Sequence, residues 1–440
     1  MPKLWNWTKT RPWLLVFLLA LGFRVLALAL NTSFWQMPLK KDAVVYHELA
    51  SELLSKGYLG SQGQPTATVP PLYPFFVAGI YKISNTSKLA VLSFQAFLGA
   101  LLTVYIFLTG ELLFSRRAGW ISALAGVLYW PFITMGMQLL SEALFVPLVV
   151  AGIYYTILAV SRRSPGPAVL GGVLFGLAAL TRSVVFYFPL LVTVKLAWDY
   201  YFQKDKRLLK VAGLFLIAYL LTYTPWIVRN YLVFNQLVTT TTNSGMVLYT
   251  GNFPYQGKIF GRNIRDYELE PEERYIIKLP ELEINRALKE LAIKKLRSHP
   301  ELLGKLLLLK TVYFWSPFDW EVLGHNEGTL NPWFVWVFLF AILGLSQFKW
   351  RSSFAIPAAF IVYIMALCYV AYGSPRLRLP VEPFIIVLAS AGWWKLEGET
   401  GIKARYIAGL VIILTVGLGY FYGPVLKNCS AALLSRLGLW

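Results

Sequence analysis

Charge is scarce in this chain. Only 14% of its 440 residues are Asp, Glu, Lys or Arg, against roughly 25% in an ordinary soluble domain. With 57% hydrophobic residues and a mean hydropathy of +0.56, that shortage excludes a water-soluble enzyme and a disordered chain. Cysteine is nearly absent: Cys368 sits in an apolar block and Cys429 near the C-terminus, so neither a disulfide framework nor a zinc spacing exists. The histidines, His47, His299 and His325, show no metal-ligand pattern. There is no glycine-rich phosphate loop, no HExxH and no GxSxG, which argues against an ATP-driven machine, a zinc protease and a serine hydrolase. Acids are outnumbered, 22 to 41, for a net charge of +19. In a soluble protein such a balance suggests nucleic acid. Here it reads as basic residues gathered in short cytoplasmic loops, and no nucleic-acid partner is expected.

What the chain has instead is long apolar blocks. Several reach the ~18–20 residues that a spanning helix needs, and they lack the alternation of a membrane barrel. The fold expected is an all-α polytopic membrane protein of about eleven spans, near 13–30, 88–109, 118–134, 142–160, 167–181, 184–198, 211–228, 332–347, 354–372, 379–395 and 405–423. The first run follows Lys3, Lys9 and Arg11. Ala27-Leu28-Ala29 looks like a signal cleavage site, but the run is long and Arg24 interrupts it, so a retained span with a cytoplasmic N-terminus fits better. Arg24, costly in lipid, should face protein or a cavity. Arg116-Arg117, Arg162-Arg163, the 204–210 cluster, Lys349 with Arg351, and Lys395 with Lys403 and Arg405 mark inside loops. The loops holding Asp42, Glu142 and residues 373–379 then share the outer face.

Three units follow: an N-terminal membrane module, 1–229, with a first outer loop at 31–87; an outer region, 230–330; and C-terminal spans, 331–440. In the first loop, residues 43–56 read as a surface helix. Pro70-Pro71-Leu72-Tyr73-Pro74 leads a short apolar run to Ile83, read as a re-entrant or interfacial piece because the prolines oppose a regular helix at its start. In the outer region, the Thr, Val, Gly and Tyr of 237–252 suggest short strands or turns. Residues 281–311 suggest an amphipathic helix broken near His299-Pro300, which makes the outer region a small mixed α/β unit. No internal repeat is present, which weakens a transporter built from duplicated halves.

Asp42 lies just beyond the first span, where a lipid headgroup would sit. It is either a loop acid paired with Lys40 or Lys41, or a general base for an attacking hydroxyl. Glu142 opens a span after Ser141. It either stabilises that helix N-terminus, with Ser141 as N-cap, or is a second acid facing Asp42. Two oxygen ligands without a His/Cys cluster would suit Mg2+ or Mn2+ better than zinc, although no third ligand is evident. Arg182, Arg229, Arg376 and Arg378 lie at outer ends of spans. Their planar forks suit phosphate; headgroup contact or snorkelling is the alternative for each.

Taken together the landmarks resemble GT-C glycosyltransferases, in particular the group of protein O-mannosyltransferases, lipid A aminoarabinose transferase and rhizobial lipopolysaccharide galacturonosyltransferases. Asp42 with Tyr46, His47, Ala50 and Gly57 is similar to their first-loop pattern. Pro70–Pro74, Ser141-Glu142, Gly176–Arg182, Pro225-Trp226 with Arg229-Asn230, and Arg376–Pro380 follow in order. Asn243, Gly245, Leu248-Tyr249 and Gly251-Asn252 look like the outer-loop motif. The resemblance implies a sugar donor on a polyprenyl phosphate, a hydroxyl acceptor on lipid, glycan or protein, and a site on the outer face of the plasma (inner) membrane. It implies Asp42 as base, Glu142 as the second-loop acid, donor contacts from the four arginines, and a pocket including Tyr46, His47, Tyr73, Asn243 and Asn252. Two departures stand out. Many relatives have an Asp-Glu pair where this chain has Asp42-Ala43, and His or Lys where it has Val69. A lipid-linked sugar flippase, or a non-catalytic assembly subunit, would share the basic outer face but not require a base at Asp42.

Overall fold

The computed structural model describes residues 11–32, 36, 38–253, 269, 271–319, 329–345 and 354–393. The expected span at 405–423, the loop charges from Lys395 onward, His325 and Cys429 lie outside the described residues, as do Lys349 and Arg351. The fold is an all-helical bundle. Helix α1 spans Pro12–Leu30, α2 Asp42–Lys56, α3 Leu72–Ser84, α4 Lys88–Leu113, α5 Arg116–Leu128, α6 Trp130–Met135, α7 Glu142–Arg162 and α8 Pro165–Thr181. A 3-10 turn at Ser183–Val185 leads into α9 (Phe188–Gln203), then α10 (Lys206–Phe234) and α11 (Ser244–Asn252). Beyond these come α12 (Glu281–Ser298), α13 (Glu301–Trp315), α14 (Pro332–Leu345), α15 (Ala355–Val370), α16 (Pro375–Arg378) and α17 (Glu382–Trp393). Among the described residues, α1, α4, α7, α9 with its leading 3-10 turn, and α10 are long and apolar enough to cross a membrane; α8, α14, α15 and α17 are shorter apolar helices.

Local chemistry explains the breaks. The expected span 118–134 is two helices meeting at an extended Tyr129. Pro131 has no N–H to give to the carbonyl four residues back, so α5 cannot run through. Helix α2 closes at Gly57, whose φ of 78° is the left-handed cap conformation that glycine takes without penalty. The prolines before α3 do not abolish it: the helix starts directly after Pro71, with Pro74 in its first turn, where a missing N–H costs nothing. The break near His299-Pro300 falls between α12 and α13 as the sequence predicts.

One expectation is corrected. Residues 237–252 are not a strand region: 244–252 form helix α11. Its Gly245 lies against the backbone of Asn285 in α12, and the Asn285 side chain accepts from the Gly245 N–H at 2.6 Å. Tertiary packing overrides the β-propensity of Thr, Val and Tyr here. The only strands among the described residues are two-residue pairs, β1 (Gly60–Ser61) with β2 (Gln64–Pro65) and β3 (Phe318–Asp319) with β4 (Thr329–Leu330).

Arg24 is buried as expected for a charge within a span. It donates to Ala20 O and Thr103 Oγ1, each at 3.1 Å, and passes so close to Gly99 that any side chain there would collide. It ties α1 to α4. A second buried cluster joins Ala43, Tyr46 and Ala50 of α2 to Tyr73, Val77 and Tyr81 of α3, to Val91 and Leu92 of α4, and to Leu139 and Leu144. This packing seats helices α2 and α3 on the end of the bundle where α7 begins.

Candidate active site

Asp42 opens α2 directly after Lys41, a non-glycine residue held at φ 52°, ψ −128°. Conformations of this kind cost on the order of 1–3 kcal/mol and persist only where surrounding structure imposes them. Here the imposed turn brings the Asp42 carboxylate to a guanidinium from more than 300 positions later in the chain. Arg376 Nη1 lies 2.5 Å from Asp42 Oδ2. The other edge of the same guanidinium grips Glu142: Nη2 donates to Oε2 at 3.1 Å and Nε to Oε1. Arg182, just past the end of α8, closes the chain with Nη1 2.6 Å from Glu142 Oε1. Two acids and two arginines thus alternate in one cluster, Asp42–Arg376–Glu142–Arg182.

Glu142 is 2% exposed and Asp42 is 45% exposed at the side chain. That contrast divides their chemistry. Glu142 has both oxygens taken by guanidinium N–H groups and is a fixed anion that holds two cations. Asp42 touches Arg376 with one oxygen and turns toward the outside. Arg376 and Arg182 respond alike. Burial works to lower each pKa, the facing carboxylates outweigh it, and both are raised; both stay charged at any physiological pH.

Ser141 is not an N-cap. Its backbone is already helical and its hydroxyl turns inward, accepting from Tyr46 Oη and Arg182 Nη1, each at 3.0 Å. Burial is the main cause that raises the Tyr46 phenol pKa, so Tyr46 remains a donor. Tyr73 is fully buried, stacks edge-on to Tyr46 with ring centroids 4.6 Å apart, and donates to Gln95 Oε1 at 2.6 Å. Gln95 Nε2 in turn donates to the carbonyls of Gly136 and Gln138, at 3.0 and 2.7 Å. Gln95 therefore ties the first outer loop to the turn that delivers Ser141 and Glu142. It escaped the sequence reading, although a lone amide inside the apolar run of α4 was the available signal.

The other expected residues lie elsewhere. His47 pairs with Tyr81 Oη at 3.0 Å on the α2–α3 contact. Asn243 accepts from Thr241 Oγ1 at 2.8 Å at the start of α11. Asn252 is buried, with Nδ2 3.1 Å from Val370 O and Oδ1 2.7 Å from Lys310 Nζ. Arg229 holds the first-loop hairpin: Nη1 donates to Thr66 O at 2.9 Å and Nη2 to Leu59 O at 3.0 Å, the carbonyls flanking β1 and β2. Arg378 is fully buried. It pairs with Glu382 at 2.7 Å, donates Nη1 to Phe314 O and Ser316 O, and lies 3.3 Å over the Phe334 ring. A donor phosphate cannot reach it. The four arginines thus separate into two at the acid cluster and two spent on backbone carbonyls.

A divalent cation held between Asp42 and Glu142 does not fit this arrangement, because the Arg376 guanidinium occupies the space between the two acids. Among the described residues no group of three or more His, Cys, Asp or Glu could hold a metal ion.

Residues 68–228 match the family described as "Dolichyl-phosphate-mannose-protein mannosyltransferase". That segment holds Glu142 and Arg182; Asp42 and Arg376 lie on either side of it. No match was found among curated protein sequences. The fold is shared with the archaeal oligosaccharyltransferase AglB from Archaeoglobus fulgidus. In complex with an inhibitory peptide and a dolichol-phosphate, it matches 94% of this chain at 13% identity, with a TM-score of 0.54. A structure of an Archaeoglobus fulgidus oligosaccharyltransferase in complex with Zn and sulfate matches 93% at 13% identity and the same TM-score. These matches take in 55% and 52% of those chains, so this chain spans about half their length. ArnT from Cupriavidus metallidurans bound to undecaprenyl phosphate matches more loosely, over 87% of this chain and 77% of its own, at 16% identity and a TM-score of 0.42. The family match and the AglB fold bear out the likeness to GT-C glycosyltransferases.

Proposed function

We propose that the protein is a GT-C glycosyltransferase that moves a sugar from a polyprenyl-phosphate donor to a hydroxyl acceptor, with inversion, at the outer face of the membrane. The observation that carries this reading is the alternation Asp42–Arg376–Glu142–Arg182, in which only the terminal acid is open to the outside. The AglB complex with a dolichol-phosphate supports a lipid phosphate as the ligand class.

The donor's tail lies along the apolar flank of the bundle. Its phosphate meets the outward side of Arg376 and Arg182, which Glu142 holds in place. Asp42 accepts the proton of the acceptor hydroxyl. The acceptor oxygen bonds to the anomeric carbon from the side opposite the phosphate, and the carbon–oxygen bond to phosphate breaks with its electron pair leaving on the phosphate. Arginines act most where that charge develops. Glu142 neither gives nor takes a proton in this scheme: its oxygens are occupied. Residues 43–83 and the described parts of 230–330 cover the site and shape acceptor choice.

Sugar transfer from a polyprenyl-phosphate donor by purified protein is the test. Asp42→Asn should lower kcat by about 10²–10⁴-fold with little change in thermal stability. Wild-type turnover in that variant would remove Asp42 from the base role.

A further inference from the structure

Behind Arg376 lies a second cation that the transfer scheme does not use. Lys310, in the middle of α13, is fully buried. Its ammonium donates to Asn252 Oδ1 at 2.7 Å, Tyr369 O at 2.8 Å and Ala371 O at 2.9 Å. Among the described residues no carboxylate pairs with it. The acceptors come from the end of α11 and from the end of α15, where the chain turns toward Ser374 and Arg376. Two glycines let this turn close. A side chain at Gly251 would collide with Ala371 O, and one at Gly373 with the Lys310 backbone. The far side of the turn is fixed to the same helix: Arg378 donates to Phe314 O and Ser316 O, at 2.6 and 2.8 Å, at the C-terminal end of α13. Cations suit such orphan carbonyls. Arg376 is therefore suspended between two points of attachment to α13, one made by Lys310 and one by Arg378.

We infer that Lys310 is a positioning residue for Arg376: its three N–H groups hold the 369–373 turn to α11 and α13, and this sets where the Arg376 guanidinium meets Asp42 and Glu142. The three acceptors match the three hydrogens of an ammonium. A methionine thioether at this position would leave all three oxygens without a donor. Burial, only partly offset by the Cys368 thiol, lowers the Lys310 pKa to about 8, within reach of an ordinary assay. Among the described residues, the polar groups around it are Cys368, whose Sγ is 3.7 Å from Lys310 O; Tyr369, whose phenol pairs with Thr311 at 2.9 Å; and Asn252 on α11.

Folding lowers the Lys310 pKa, so between about 8 and the ordinary lysine value the unfolded chain binds more protons, and the contribution of Lys310 to stability rises with pH. An opening of the turn that exposes Lys310 follows the same sign.

The kinetic consequence rests on the role proposed for Arg376; the structural one does not, and the experiment reads both. Hydrogen exchange of residues 369–378, corrected for intrinsic rate, is measured at pH 7 beside turnover, in wild type, Lys310→Arg and Lys310→Met. Lys310→Met should lose protection in this segment by about tenfold, with kcat lower by a similar factor and KM little changed. Lys310→Arg keeps donors for the same oxygens and should retain most of both. Wild-type protection in Lys310→Met, or a loss in Lys310→Arg as large as in Lys310→Met, overturns the inference. Lost protection in Lys310→Met with unchanged turnover leaves Lys310 as the pin of the turn and overturns the role given to Arg376.

Discussion

Arg376 and Arg378 are two residues apart on one short helix and do opposite work. Arg376 is partly exposed and shared between two carboxylates; Arg378 is fully buried and shared between Glu382 and two backbone carbonyls. The difference teaches how a bundle with a large excess of basic residues can build a site for an anion. A cation spent on carbonyls at a helix end is a fastener, because nothing that enters from outside can replace those partners. A cation whose partner is a half-exposed acid can exchange it for a phosphate. Arg229, closed over Leu59 O and Thr66 O, sorts with the fasteners; Arg182 is held on buried Glu142 beside Arg376, in the acid cluster itself.

Substitution at these two neighbours should split cleanly. Arg376→Ala should lower kcat by about 10²–10³-fold while stability moves little, since Arg182 still balances Glu142. Arg378→Ala leaves the Glu382 acid buried without its partner, a change that costs about 3–5 kcal/mol, seen as a large fall in thermal midpoint. The comparison breaks if the two variants show the same profile. A smaller effect sharpens it from the other side of the site. Glu281, at the start of α12, accepts from Thr66 Oγ1 at 2.7 Å, from Ala67 N at 3.0 Å and from Thr242 Oγ1, and so latches the outer region to the first loop. Glu281→Gln keeps the shape but weakens hydrogen bonds worth about 1.5–3 kcal/mol each when the acceptor is charged. KM for the acceptor should rise several-fold with kcat nearly unchanged.

Much of the architecture was legible because it follows from period and punctuation. Among the described residues the apolar blocks became helices, a helix began at Asp42, and the amphipathic helix broke at His299-Pro300. The meeting of Asp42, Glu142, Arg182 and Arg376 was expected from their shared face and from motif order. What sequence did not reveal was allocation. An arginine near the outer end of a span looks the same whether it waits for a phosphate or caps a carbonyl, and the carbonyls that lack donors are known only once the chain turns. The carbonyl partners of Arg229 and Arg378 went unforeseen for that reason. Gln95, Glu281 and Lys310 were passed over because each acts on backbone groups far away in sequence. Helix α11 was misread because its packing on α12, not its composition, decides its conformation.

The central claim is that an acid from the first outer loop and arginines from much later in the chain form one lipid-phosphate site. The most direct measurement is a structure of the protein with undecaprenyl phosphate bound. The account predicts phosphate oxygens within ion-pair distance of Arg376 and Arg182, with the Asp42 carboxylate displaced from Arg376 and facing the acceptor side. A phosphate seated on Arg229 or on another surface, with the Asp42–Arg376 pair intact, would contradict it.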